Sequence, residues 1–240
     1  LKSIVLKDVK NGKIKTNLDL RFEKNFKLKN YNIDGYIHNL DIDINNKFNL
    51  KKTKLIYSVN KNSLLFNSIS GEINNVTIYK GEIEVKNFKK PSIKGYLNNK
   101  VDLNEKKLKK IILNLIKDKY LLNKIILKGD LNNTFDLKFD ETLKVKDFNL
   151  KIIGNLNDSS IKLENKININ SENLISIINI DKSRFEVVIN SKKENSFLAN
   201  GNYSINNKKF QKFSLKNNKD NYSLEFDFAE LVKIDIINYL

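Results

Sequence analysis

The stretch NYNIDGYIHNLD, residues 30–41, is this chain's nearest approach to a metal-binding loop. Asn30, Asn32, Asp34, Gly35 and Asp41 fall at positions 1, 3, 5, 6 and 12 of a calcium-loop pattern. Such a loop needs an anionic first ligand and a long, bidentate glutamate at its end. Here asparagine stands first and the shorter aspartate last, and the flanks alternate like strands where helices are required. Asp41 and Asp43 alternate with Ile42 and Ile44, which places them on the wet face of one strand, where they serve solubility and edge protection. His38 is the single histidine, with no serine or carboxylate spaced around it to form a nucleophile–base–orienter set. It reads as a surface residue. No phosphate-cradling glycine loop, nucleophile elbow or zinc-binding helix motif occurs. The absence of cysteine excludes disulfides, zinc–thiolate sites and thiol catalysis. The expectation is a protein without catalytic residues, metal or cofactor, and not an enzyme.

The net charge of +16 is the signature of a polyanion binder at first sight, but only Arg21 and Arg184 among the 44 basic residues are arginine. Arginine is the side chain that grips phosphates and bases with paired hydrogen bonds. The lysines are scattered along the chain and describe a solvated face, one compatible with anionic lipid headgroups. No nucleic-acid partner is expected. Aromatics such as Phe135, Phe139, Phe226 and Phe228 alternate with charged residues as core residues do, and not as a stacking platform. No run of eighteen apolar residues exists to span a bilayer. The chain opens on Leu1 and contains no methionine, so it is expected to be a piece of a longer protein, with any anchor lying elsewhere.

Period-two alternation dominates the sequence. NGKIKTNLDLRF places Ile14, Leu18, Leu20 and Phe22 on one side. YNIDGYIHNLDIDI places Tyr31, Ile33 and Ile37 together, then switches to Leu40, Ile42 and Ile44, which marks a bulge or turn at Asn39. The phrase Gly-Glu-Ile occurs twice, at 71–73 and 81–83, each time among alternating residues. Later, Phe135, Leu137 and Phe139 are followed by Leu143 and Val145, then by Phe148, Leu150 and Ile152. Asparagine- and glycine-rich pairs punctuate these runs as hairpin turns do. About fifteen antiparallel strands in a meander are expected, each with one wet face. One segment breaks the period: Leu108, Ile111, Ile112, Leu115 and Ile116 are spaced for a helix over about 103–118. It is expected to cover an end or edge of the sheet; a membrane-surface or partner-binding helix is the alternative.

A long sheet with one apolar face must close into a barrel, fold into a sandwich, or curl into a trough that holds something apolar. The apolar side is mostly isoleucine and leucine, without tryptophan. At about 0.8 kcal/mol per methylene, shielding a sixteen-carbon acyl chain is worth on the order of 12 kcal/mol. About fifteen strands at ~4.8 Å spacing make a trough roughly 70 Å long, which suits a conduit better than a pocket.

The region from about Leu50 to Asn157 resembles the AsmA-like superfamily of envelope proteins, in particular its YhdP and TamB types. The resemblance is carried by FNLKKTKLIYSVNKNSLLFNSISGEINNVTIYKGEIEVKNF, by the interrupting helix, and by the return phrase IILKGDLNNTFDLKFD. It implies a mainly β fold: a long antiparallel meander curled into an open, taco-like groove with one amphipathic helix inserted. The organisation expected is a first β-groove segment over 1–100, the helix region over 101–120, and a second β-groove segment over 121–240. It further implies phospholipid as partner, a periplasmic location, and inner-membrane anchoring through a segment outside this chain. The function implied is that of a bridge-like lipid transporter, whose apolar groove shields acyl chains between inner and outer membranes. The expected groove lining is Phe48, Leu50, Val76, Ile78, Ile83, Val85, Phe135, Leu137, Phe139, Leu143, Val145, Ile161 and Leu163. The alternative is a non-enzymatic β-sandwich or repeat scaffold, or an interaction module, of the cell envelope, closed around a dry core.

Overall fold

A computed structural model describes residues 9–44, 48–74, 76–104, 124–170, 173–192, 194–218 and 221–227. Thirteen strands make up the described structure: β1 (Val9–Phe22), β2 (Leu28–Ile44), β3 (Phe48–Asn60), β4 (Ser63–Ile73), β5 (Val76–Lys86), β6 (Ser92–Leu103) and β7 (Lys124–Phe139). They continue as β8 (Val145–Leu156), β9 (Ser159–Asn170), β10 (Asn173–Asn190), β11 (Ser196–Ile205), β12 (Gln211–Asn218) and β13 (Asn221–Phe226). All belong to one sheet in chain order, except that β9 lies off the main path and pairs with both β7 and β10. Only Asn157 and Asp158 separate β8 from β9, and both strands lie between β7 and β10. β9 is thus the continuation of β8 beyond a backbone irregularity at Asp158, whose φ is 47°.

Among the described residues thirteen strands stand against the roughly fifteen expected, and several of them run through their own kinks. β2 passes Asn39, at φ 56°, and resumes with a register shift between Ile37 and Leu40, the bulge anticipated from the alternation. β10, 18 residues long, does the same past Lys182. A bulge lets a strand change which residues face the core without leaving the sheet. The expected helix over 103–118 lies outside the described residues beyond Asn104. Its first position, Leu103, and the 101–103 portion of the 101–120 region are instead the end of β6, where Val101 and Leu103 are buried. Val101 and Leu103 continue the period-two pattern of β6.

The chain divides into two compact units, and the division is interleaved. One comprises Leu1–Lys100, Asn132–Lys151 and Ile189–Lys193; the other comprises Val101–Leu131, Ile152–Val188 and Glu194–Leu240. Long strands such as β7 and β8 give one end to each unit, so the boundary does not follow the chain.

Within the first unit the bulges fall at matching heights on neighbouring strands: Asn39 in β2, Lys52 in β3 and Ser68 in β4, with a register shift after Ile78 in β5. An acid holds one of them. Asp41 accepts a hydrogen bond from the Lys52 amide at 2.7 Å, which offsets part of the cost of a positive φ in a side-chain-bearing residue. The wet-face aspartate of the sequence reading is therefore also a backbone clamp. Burial is deepest along this line, at Thr53, Ile69, Ile78 and Asn99.

Candidate functional site, an apolar sheet face

Residues directly opposite on antiparallel strands share a face, so the register sorts the side chains. In the first unit one row crosses six strands as Leu18, Ile33, Val59, Leu64, Val85 and Ile93, apolar at every step. The neighbouring row runs Thr16, Gly35, Tyr57, Phe66, Ile83 and Gly95. Beyond the bulges a further row runs Ile42, Leu50, Ile73 and Val76, and Gly71, Ile78 and Asn99 lie side by side. All belong to one face. In the second unit, Ile125, Ile161, Ile178 and Ile205 form a row of four isoleucines, and Phe185, Ala199, Leu215 and Leu224 another.

Gly35, Gly95 and Gly154 are roofed by aromatics from neighbouring strands. A side chain at Gly35 would strike the Tyr57 ring, whose hydroxyl reaches over to Thr16. A Cβ at Gly95 would lie 2.9 Å from Phe135, and one at Gly154 would collide with Phe185. The aromatic fills the space that the missing side chain leaves. One polar pair sits on the same surface: the Asn133 side chain donates to Leu97 O at 3.1 Å and to Asn99 Oδ1 at 2.6 Å.

The opposite face is polar. In β7 the even residues from Lys128 to Lys138 are hydrophilic and mostly exposed, while the odd residues from Ile125 to Phe139 are half-buried or buried. Ion pairs dress this outer side, among them Lys94–Asp136 at 2.9 Å, and that aspartate holds the Lys94 ammonium above its ordinary pKa. Asp147 in β8 accepts hydrogen bonds from Lys192 and Ser191 and lies 3.8 Å from Lys138. With Lys192 contributing most, these partners lower its carboxyl pKa to about 2.

Of the expected lining, Leu50, Val76, Ile78, Ile83 and Val85 share the apolar face of the first unit. Phe135 joins them over Gly95, and Leu137 and Phe139 follow it by alternation. Ile161 lies in the isoleucine row of the second unit, with Leu163 two residues on. Phe48 pairs with Ile44 through the backbone, and its side chain lies outside the described residues. Leu143 and Val145 do not belong to the face. Leu143 occupies the β7–β8 turn at φ 62°, and Val145, exposed at the start of β8, alternates with the inward Phe148, Leu150 and Ile152. Alternation alone could not separate a strand from the turn leading into it. Tyr57, Phe66, Ile69 and Thr53 were missed, although Tyr57 and Thr53 are among the most buried; their place emerges only from cross-strand pairing.

The arrangement offers contact rather than bond chemistry. Residues 30–41 run as extended strand within β2 and form no loop, and exposed His38 faces Lys13 across β1. Among the described residues no three His, Cys, Asp or Glu are grouped as metal ligands would be, and no helix is long and apolar enough to cross a membrane. Comparison with known proteins finds no matching family model, no curated relative and no similar solved structure.

Proposed function

We propose that this chain is a non-enzymatic segment of a bridge-like lipid carrier, whose apolar face shields phospholipid acyl chains. One observation carries the reading. Among the described residues every element is a strand of one sheet, and rows of apolar side chains run from strand to strand across it. Ile14, Leu18 and Phe22 remain more than half exposed on this face, and most of their row partners are only half-buried. Exposed apolar surface of that extent marks a binding surface in a folded protein. The rows run across the strands, the direction in which an acyl chain would slide from one strand to the next. Curling about the line of bulges, with the apolar face inside, supplies the open groove of this reading. The AsmA-like resemblance supports a periplasmic setting and anchoring to the inner membrane by a segment outside this chain.

A closed scaffold module is the second reading. The deep burial at Thr53, Ile69, Ile78 and Asn99, filled by the chain's own side chains, favours it. Native mass spectrometry of the purified protein, followed by organic extraction, separates the two. Co-purifying phospholipid, lost in Val76→Asp and Leu137→Asp proteins that keep their strand circular dichroism, is the expected result. A well-folded, lipid-free protein would overturn the carrier reading and leave the scaffold.

A further inference from the structure

Two turns of the first unit spend backbone strain on exposed apolar tips. Glu23–Lys27 joins β1 to β2, and Asp140–Lys144 joins β7 to β8. Both are built alike: the first amide donates to the carbonyl of the fifth residue (Glu23 to Lys27 at 2.9 Å, Asp140 to Lys144 at 3.0 Å). In both, the fourth amide donates back to the first carbonyl, at 3.0 Å for Phe26 and 3.1 Å for Leu143. That fourth residue has positive φ, 59° at Phe26 and 62° at Leu143. Glycine or asparagine is the favoured occupant of such a position, and a bulky side chain there is an outlier. This chain uses asparagine at Asn39, Asn74, Asn87, Asn206 and Asn207, all with positive φ. At Phe26 and Leu143 it instead holds a large apolar residue, 88% and 66% exposed. Neither backbone geometry nor core packing accounts for that choice, and strain without a folding purpose points to function.

A third tip lies between them. The turn after β5 presents Phe88, 45% exposed, next to Asn87 at φ 56°. Successive hairpins of a meander return to the same edge, and here the turns are bonded in series. The Asn87 amide donates to Asn62 O at 3.3 Å, the Phe139 amide donates to Pro91 O at 2.9 Å, and Lys90 pairs with Glu141 at 3.0 Å. Lysine surrounds the tips: Lys24, Lys27, Lys61, Lys89 and Lys144 have no ion-pair partner among the described residues. Of the acids at these turns, Asp140 caps the Thr142 and Lys144 amides of its own turn and Glu141 is paired, while Glu23 has no ion-pair partner among the described residues.

We infer that this edge docks on an anionic phospholipid bilayer, with Phe26, Phe88 and Leu143 entering the headgroup–acyl boundary and the turn lysines meeting the lipid phosphates. Aromatic and leucine tips with basic neighbours are the chemistry of interfacial attachment. Strands ~4.8 Å apart separate neighbouring tips by about 10–20 Å, so they form spaced points and no continuous patch. A fluid bilayer accepts such points anywhere, whereas a protein partner needs one contiguous complementary surface. The inference goes beyond the lipid-carrier reading, since these tips are not among the row residues of the apolar face.

The chain contains no tryptophan, so Phe88→Trp provides a single fluorescent reporter. On vesicles of phosphatidylcholine with phosphatidylglycerol its emission should shift to the blue and be quenched by brominated acyl chains; on phosphatidylcholine alone both effects should be weak. Phe26→Asn and Leu143→Asn suit the backbone of their turns, so the fold is retained and its melting point does not fall. Each should weaken flotation with anionic vesicles about tenfold. Neutralising Lys24, Lys27, Lys89 or Lys144 to Gln should cost about fivefold apiece and flatten the salt dependence. No blue shift on anionic vesicles, or undiminished flotation of the double asparagine variant, would overturn the inference. Extracting lipid from the same samples keeps the two readings apart. A lipid-free protein that still floats leaves docking standing and removes only the carrier, while a lipid-loaded protein that never floats does the reverse.

Discussion

Asp147 shows how one half-buried carboxylate can tie two turns of the same unit. Lys192 lies 2.7 Å from it, Ser191 donates a short hydrogen bond to it, and the Ser191 amide bonds Phe148 O at 3.0 Å. The Lys192 hydrogen bond, first among the causes, brings the carboxyl down to about 2 from an ordinary 3.8. A depressed folded pKa contributes stability above the unfolded value, and that stability is lost as pH falls through the folded one. The tether should therefore be intact above about pH 4 and fail between roughly pH 4 and 2. Carboxyl-detected NMR titration should find Asp147 titrating near 2, and Lys192→Gln should move it back toward the ordinary aspartate value. An unshifted midpoint in the Lys192→Gln protein would show that the lysine is not the cause.

At the scale of the element, the bulge is the recurrent device. Asn39, Lys52, Ser68 and Lys182 each place a positive φ inside a strand, where an extended backbone is the rule. Asp41 stabilises the Lys52 bulge from the strand next door. Asp181 plays the same part at the β8–β9 break, where it accepts the Asp158 amide at 3.3 Å. Asp41→Ala should lower stability by about 1 kcal/mol, the typical net worth of one hydrogen bond. It should also accelerate hydrogen exchange at the Lys52 amide more than at Ser58 or Val59, which lie in regular pairing. Uniform acceleration along β3 would mean that Asp41 does not act locally on the bulge.

For the molecule as a whole, the apolar face has two grades. Ile78 is 2% exposed at the line of bulges, whereas Ile14 on the edge strand is 67% exposed. The same truncation should therefore have unequal effects. Ile78→Ala should cost about 2–4 kcal/mol in urea unfolding, as for a filled core site. Ile14→Ala should stay within about 0.5 kcal/mol, as for surface positions. Equal losses would mean that the edge residues are covered in solution, by a second copy or another layer. The proposed lipid carrier and the proposed docking edge divide the apolar residues between two jobs. Under these two proposals, Val76 and Leu137 on the apolar face would serve cargo, and the turn residues Phe26, Phe88 and Leu143 would serve attachment.

The sequence by itself determined the class of fold. Alternation of period two depends only on which side of a strand each residue points to, and that is local. The bulge at Asn39 was legible for the same reason, because a register switch within one strand changes the alternation phase. So was the shared face of residues such as Ile83 and Val85, each a member of an alternating run. Tertiary structure alone decided which residues meet. Tyr57 roofs Gly35, Phe135 covers Gly95, and Ile161 completes a row of isoleucines through pairings between strands that no local pattern encodes. It also decided that Leu143 and Val145 leave the face. Hydrophobicity states that a side chain avoids water, but whether it finds a core, a cargo or a membrane depends on where its turn closes and on the strands beside it.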